Sequence, residues 1–257
     1  MEKKERDWKR IISSFVFYSF TIPLGYLIYK IATTSNVVVL NDPDNRVRSD
    51  YVLMLIQCLF GIFAMGLPGM ISKRFKLEIP NTVFYFYVIF LWAAIFLGEV
   101  QNFYYKFKYW DLILHTLSGG MIGFIGFSFV DILNNENEHV SLNPFFVAFF
   151  AFCFALALGA IWEIYEFLCD GFLKTNMQKF ALESGVKLIG RDAVSDTMGD
   201  LIVDSIGALV ATTIGYISIK YDKSYLNKFL IKLRREKKST TEEKVKKGGT
   251  DETAHLR

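Results

Sequence analysis

The chain has 257 residues, of which 52% are hydrophobic and 16% aromatic, and its mean hydropathy is +0.28. Charged residues make up only 21% and gather at the N-terminus, in the connections and in the C-terminal tail. That excludes an ordinary soluble domain, in which about a quarter of the residues are charged. The net charge of +3 is concentrated in a basic tail from Lys223 to Lys247, which suits anionic lipid headgroups; beside membrane spans it gives no reason to expect nucleic acid.

The opening residues Met1 to Arg10 are basic and lead into an apolar run from Ile11 to Ala32. The run is longer than a signal-peptide core and no small-residue cleavage site follows it, so it reads as a retained span. Five further apolar segments follow, from about Tyr51 to Ile71, Thr82 to Val100, Asp111 to Leu133, Phe145 to Phe172 and Met198 to Tyr221. Each approaches or exceeds the roughly 20 residues that a helix needs to cross a hydrocarbon core. In lipid a backbone must satisfy its own hydrogen bonds, and barrel-type alternation is absent, so the spans are helices. The chain is therefore an all-α integral membrane protein, a bundle of about six transmembrane helices over 1–221. An amphipathic juxtamembrane segment follows over 222–236, where Tyr225, Leu226, Phe229, Leu230 and Leu233 recur at spacings of three and four. The remainder, 237–257, reads as a disordered basic cytoplasmic tail. The long connection from Leu173 to Thr197 has the mixed pattern of a surface or re-entrant element. Cys58, Cys153 and Cys169 lie in apolar stretches, and an odd count without paired short spacing excludes a disulfide framework or a thiolate zinc site.

Lysines and arginines before the first span, between the second and third, and after the sixth place both termini in the cytoplasm. On that layout the acidic residues coincide in depth. The fourth span begins on the outer side with Asp111 and His115, one turn apart on a shared face. The fifth ends there with Glu163, Glu166 and Asp170, spaced three and four; the sixth begins there with Asp192, Asp196, Asp200 and Asp204, the last three forming one stripe. Glu99 closes the third span at the same level. At 1.5 Å per residue, His115 lies about 6 Å beyond Asp111 and Asp204 about 12 Å beyond Asp196. So many carboxylates in a low dielectric are either partly protonated or neutralised by cations. The lysines and arginines available nearby are Lys106, Lys108, Lys174, Lys187 and Arg191, mostly in connections. A divalent metal is the denser solution. Its expected ligands are Glu163, Glu166, Asp170, Asp196, Asp200 and Asp204, which favour Mg, Mn or Ca, with Zn or Fe brought in by His115. His115, oriented by Asp111, is the expected general acid or base. Asp111 and Asp196 also stand where an aspartate caps a helix start. Gly119, Gly120, Gly123 and Gly126 on the fourth span, with Gly199 and Gly207 on the sixth, allow close helix approach. A serine nucleophile at Ser118 or Ser205 has no elbow motif behind it.

The motifs WDLILHTLSGG (110–120), WEIYEFLCD (162–170) and DAVSDTMGDLIVDSIGA (192–208) resemble those of the YjdF-like family of bacterial inner-membrane proteins. GEVQNFYYKFKYWD (98–111) is more loosely similar to VanZ-like membrane proteins, with lysines where that family suggests arginine. The resemblance implies a multi-span protein of a bacterial cell membrane, in contact with membrane lipids, and brings no reaction with it. Two functions follow from the residues: an enzyme using a metal on a lipid or isoprenoid headgroup at the outer leaflet, or a cation- or proton-coupled transporter or channel. A third is a non-catalytic membrane partner with a structural cation site. The inner halves of the spans offer few polar groups, chiefly Gln57, Ser128 and Asp131, and that asymmetry favours a site open to one side.

Overall fold

A computed structural model describes residues 2–35, 46–136, 142–182 and 186–234. Six of its helices are long and apolar enough to cross a membrane. In chain order, α1 covers Glu2–Thr33 and α2 Arg48–Arg74; α3, Asn81–Leu91, continues as a π-helical stretch, Trp92–Val100. After the short α4, Phe103–Lys106, come α5 (Trp110–Glu136), α6 (Pro144–Leu173) and α7 (Ser195–Tyr221). A single turn, α8, Ser224–Asn227, follows α7.

Local chemistry sets the helix starts. Asn143 accepts a hydrogen bond from the Phe145 amide at 2.8 Å, and Pro144 occupies the first turn, where no donor is needed. Asp50 in the first turn of α2 accepts from the Val47 amide at 2.8 Å. Large apolar side chains such as Ile22, Phe63, Phe149 and Phe167 face outward, an arrangement that water would penalise and lipid does not.

The helices form two groups of three. Phe20, Leu27, Met54, Cys58 and Val88 bring α1, α2 and α3 together. In the second group, α5 and α7 touch through their backbones. A Cβ on Gly207 would stand 2.0 Å from the Thr116 carbonyl oxygen, and one on Gly119 would stand 2.3 Å from that of Asp204. Only glycine permits this approach. The π-helical end of α3 joins the groups by packing against both α2 and α5.

The segment after α7 differs from the expected surface helix. Only one turn is helical; Leu226 and Leu230 are buried against the C-terminal part of α5 and the start of α6, Phe229 stacks on Phe124 with centroids 4.6 Å apart, and the Ile231 amide donates to Ser128 Oγ at 3.0 Å. Lys232–Leu233 then pairs antiparallel with Leu77–Glu78 from the α2–α3 connection. The apolar stripe follows helical spacing, but its residues reach deeper contacts by leaving the helix. The expected tail, 237–257, lies outside the described residues. Two further expectations change. Ser128 is engaged in this docking, and Gln57 stands only about 13 Å along α2 from its start, where it donates to Glu99 Oε1 at 3.5 Å. Gln57 therefore belongs with the acidic end.

Candidate metal centre

The starts of α5 and α7 and the end of α6 converge on His115, which is buried, as are Glu163, Glu166, Asp170, Asp200 and Asp204. Close packing at glycine makes room for it: a Cβ on Gly159 of α6 would fall 2.7 Å from Asp204 Oδ2.

The two nitrogens of His115 face different partners. Nδ1 lies 3.2 Å from Asp204 Oδ2. An ionised carboxylate can only accept, so Nδ1 carries a proton; in the neutral ring Nε2 would then present the lone pair. Nε2 faces Asp111 Oδ1 at 3.7 Å and Asp200 Oδ2 at 3.9 Å. One ligand atom from each of Asp111, His115 and Asp200 lies within 4.8 Å of the other two. A tetrahedral ion with bonds of about 2.1 Å holds its ligands roughly 3.4 Å apart, so an ion would draw the two carboxylates toward His115 by about half an ångström and toward each other by up to about 1.4 Å. A histidine whose second nitrogen is held by a carboxylate is the usual arrangement around a metal, because it fixes ring orientation and tautomer. Ser118 Oγ lies 2.9 Å from Asp204 Oδ1 and 2.8 Å from the His115 carbonyl oxygen, so its one proton is shared between the orienting carboxylate and the backbone of the histidine.

The eight residues singled out from sequence are thus distributed among different tasks. Asp111, His115 and Asp200 surround one point, and Asp204 stands behind the histidine. Both oxygens of Glu163 are buried, with the polar side chains of Thr197 and Gln178 beside them. Glu166 Oε1 accepts from Trp162 Nε1 at 2.9 Å. Asp170 turns away: it accepts from Thr175 Oγ1 at 2.6 Å and from the Met177 and Gln178 amides at 2.7 and 3.0 Å, anchoring the connection that follows α6. Asp196 does not cap α7, whose start has no side-chain cap; its Oδ1 accepts from Lys179 Nζ at 2.8 Å. The serine-nucleophile arrangement is not formed: Ser118 bonds Asp204, and Ser205 bonds the Leu201 carbonyl.

Two participants escaped the sequence reading. Lys179, from the α6–α7 connection, pairs with both Asp111 and Asp196. Burial alone would lower the pKa of its ammonium; the two carboxylates more than reverse this and hold it above its ordinary value, so it stays charged. The lysines expected to do this are engaged elsewhere, Lys106 on the Gln101 carbonyl and Lys174 on the Gly171 carbonyl. The second is Tyr104, whose ring packs against the bare Cα of Gly98 and stands near Asp111, Glu99, Glu166 and Asp200. A glycine six residues before a tyrosine in a broken helix carries no periodic signal.

Six apolar helices with a buried histidine and carboxylates at one end define a multi-pass integral membrane protein with a polar site within the bundle. Residues 26–221, most of the chain, match the family described as Predicted membrane protein (DUF2238), and the chain belongs to that family. It is also similar to an uncharacterized protein of Thermotoga maritima, 31% identical over 147 residues, covering 57% of this chain and 64% of that protein. The match thus spans less than two thirds of that relative's length. No solved structure gives a significant match.

Proposed function

We propose that the protein is a membrane-embedded metalloenzyme acting at the extracytoplasmic face on the headgroup of a lipid or isoprenoid. Orientation follows from charge: Lys73, Arg74, Lys76, Lys220, Lys228 and Arg234 mark the opposite end as cytoplasmic. The observation that carries the reading is the two-sided environment of His115, with Nδ1 held by Asp204 and Nε2 turned toward Asp111 and Asp200. Asp111, His115 and Asp200 would hold a divalent ion, which would polarise a phosphoryl or carbonyl oxygen and acidify water. In this reading His115 is a ligand rather than the general base, and Glu163, buried beside it, takes up the proton.

A transport pathway would need ionisable groups along the bundle. Among the described residues, the buried ones stay at one end. The test is to reconstitute the full chain with Mn or Zn into vesicles containing phospholipid and a polyprenyl phosphate. Release of phosphate or a headgroup is expected, and His115→Ala and Asp200→Asn should abolish it. Proton or cation flux that needs the same residues, without product release, would favour the transporter instead.

A further inference from the structure

The α6–α7 connection reaches the site through one side chain. Its described arms pair across Ala181 and Lys187, and its start is tied to Asp170 by three hydrogen bonds. Gln178 donates its carboxamide to Thr197 Oγ1 at 2.9 Å, stitching the connection to the first turn of α7. The next residue, Lys179, has φ 45°, a left-handed conformation that side chains other than glycine seldom adopt. Its amide bonds the Asn176 carbonyl at 3.2 Å. A strained residue held on both sides by hydrogen bonds is over-determined by its surroundings, a pattern that clusters at functional sites.

What this framework holds is the ammonium between Asp111 and Asp196. The two oxygens of Asp111 are then divided: Oδ2 accepts from Lys179, while Oδ1 faces His115 Nε2, the atom that Asp200 also faces. Exposure grades the same way. The Lys179 side chain is 30% exposed, Asp196 21% and Asp111 17%, against 2% for Asp200 and 3% for Asp204. Lys179 therefore stands at the mouth and Asp200 and Asp204 at the floor.

Resting on the reading of Asp111, His115 and Asp200 as metal ligands, we infer that Lys179 is a positioning residue of this site: it fixes Asp111 so that Oδ1 is offered to the ion, and it makes the α6–α7 connection part of the metal centre. A lysine that only balanced charge would compete with the ion for Asp111, and its removal would tighten metal binding. One that orients the carboxylate does the reverse, and outer partners of this kind are typically worth about 10- to 100-fold in metal affinity. The two roles differ in sign.

The experiment titrates Co(II) into the purified full chain and into Lys179→Met and Lys179→Arg, following visible absorption, which reports affinity and ligand geometry together. The expected result is binding weakened by about 10- to 100-fold in Lys179→Met, with an altered band at saturation because Asp111 is no longer held. Lys179→Arg, which keeps a cation able to bridge two carboxylates, should recover most of the affinity and the wild-type band. A lower fraction of protein that loads, with the band unchanged, is what a purely structural role gives and would also overturn the inference. Should Lys179→Met not fold, Asp170→Asn, which loosens the connection but keeps the lysine, is expected to weaken binding in the same direction. Equal or tighter binding with an unchanged band in the variant that folds overturns the inference alone. Absence of Co(II) binding by the wild-type chain overturns both the metal reading and the inference.

Discussion

Gly207→Ala is the most severe small substitution the bundle offers. The added methyl would stand 2.0 Å from the Thr116 carbonyl oxygen and 3.2 Å from the Gly120 nitrogen, both backbone atoms of α5. Carbon–oxygen contacts of this kind settle at about 3.3–3.6 Å, so α5 and α7 must part locally by roughly 1.3–1.6 Å. Thr116 adjoins His115, and Gly207 lies one turn from Asp204. The same displacement carries the 3.2 Å contact between His115 Nδ1 and Asp204 Oδ2 beyond hydrogen-bonding range. Overpacking costs about 1–3 kcal/mol, and a lost hydrogen bond to a charged group about 1.5–3 kcal/mol. Together these approach the whole stability of a marginal protein, typically about 5–15 kcal/mol. The assay is the fraction of protein still monodisperse after heating in detergent, read by fluorescence-detected size exclusion, with metal content measured on the same samples. Gly25→Ala is the control, because nothing lies within 4 Å of its added methyl. A Gly207→Ala protein that matched both wild type and control in melting and metal content would refute the backbone contact between α5 and α7 as the element that sets the site.

Gly159→Ala acts on the orienting carboxylate directly, since its methyl meets Asp204 Oδ2 at 2.7 Å; metal affinity should fall about tenfold or more, measured by chelator competition. Ser118→Ala removes one hydrogen bond to Asp204 and leaves the contact to His115, so a loss of about 1 kcal/mol, or a few-fold in affinity, is expected in the same assay. Asp170→Ala removes the acceptor for three donors of the connection, and limited proteolysis should then cut within 174–191 faster than in wild type.

Much of this architecture is written in the apolar pattern. Six runs of spanning length define the six helices, and acids at matching depths on α5, α6 and α7 point to one end of the bundle. The spacing Asp111–His115 and the stripe Asp196–Asp200–Asp204 fix which face each helix turns inward, because residues four apart share a face. Periodicity carries no information on what each atom meets. Asp200 and Asp204 look equivalent in sequence, yet one faces Nε2 and the other holds Nδ1, a difference set by the rotation of α7 against α5 at Gly207 and Gly119. Asp170 extends the stripe of α6 but lies past the packed region, where the free amides of the following turn claim it. Lys179 arrives on an irregular connection, whose path depends on hydrogen bonds that no repeat announces. The docking of Leu226 and Leu230 likewise depends on a pocket built by distant residues.

The central claim is that Asp111, His115 and Asp200 hold a divalent ion. Elemental mass spectrometry on the purified full chain, after incubation with Mn, Zn or Mg and removal of excess ion, tests it most directly. About one equivalent of one of these metals is expected in wild type, lost in His115→Ala and Asp200→Ala and kept in the Gly25→Ala control. Sub-stoichiometric metal in every condition, or metal that persists in both site variants, would contradict it.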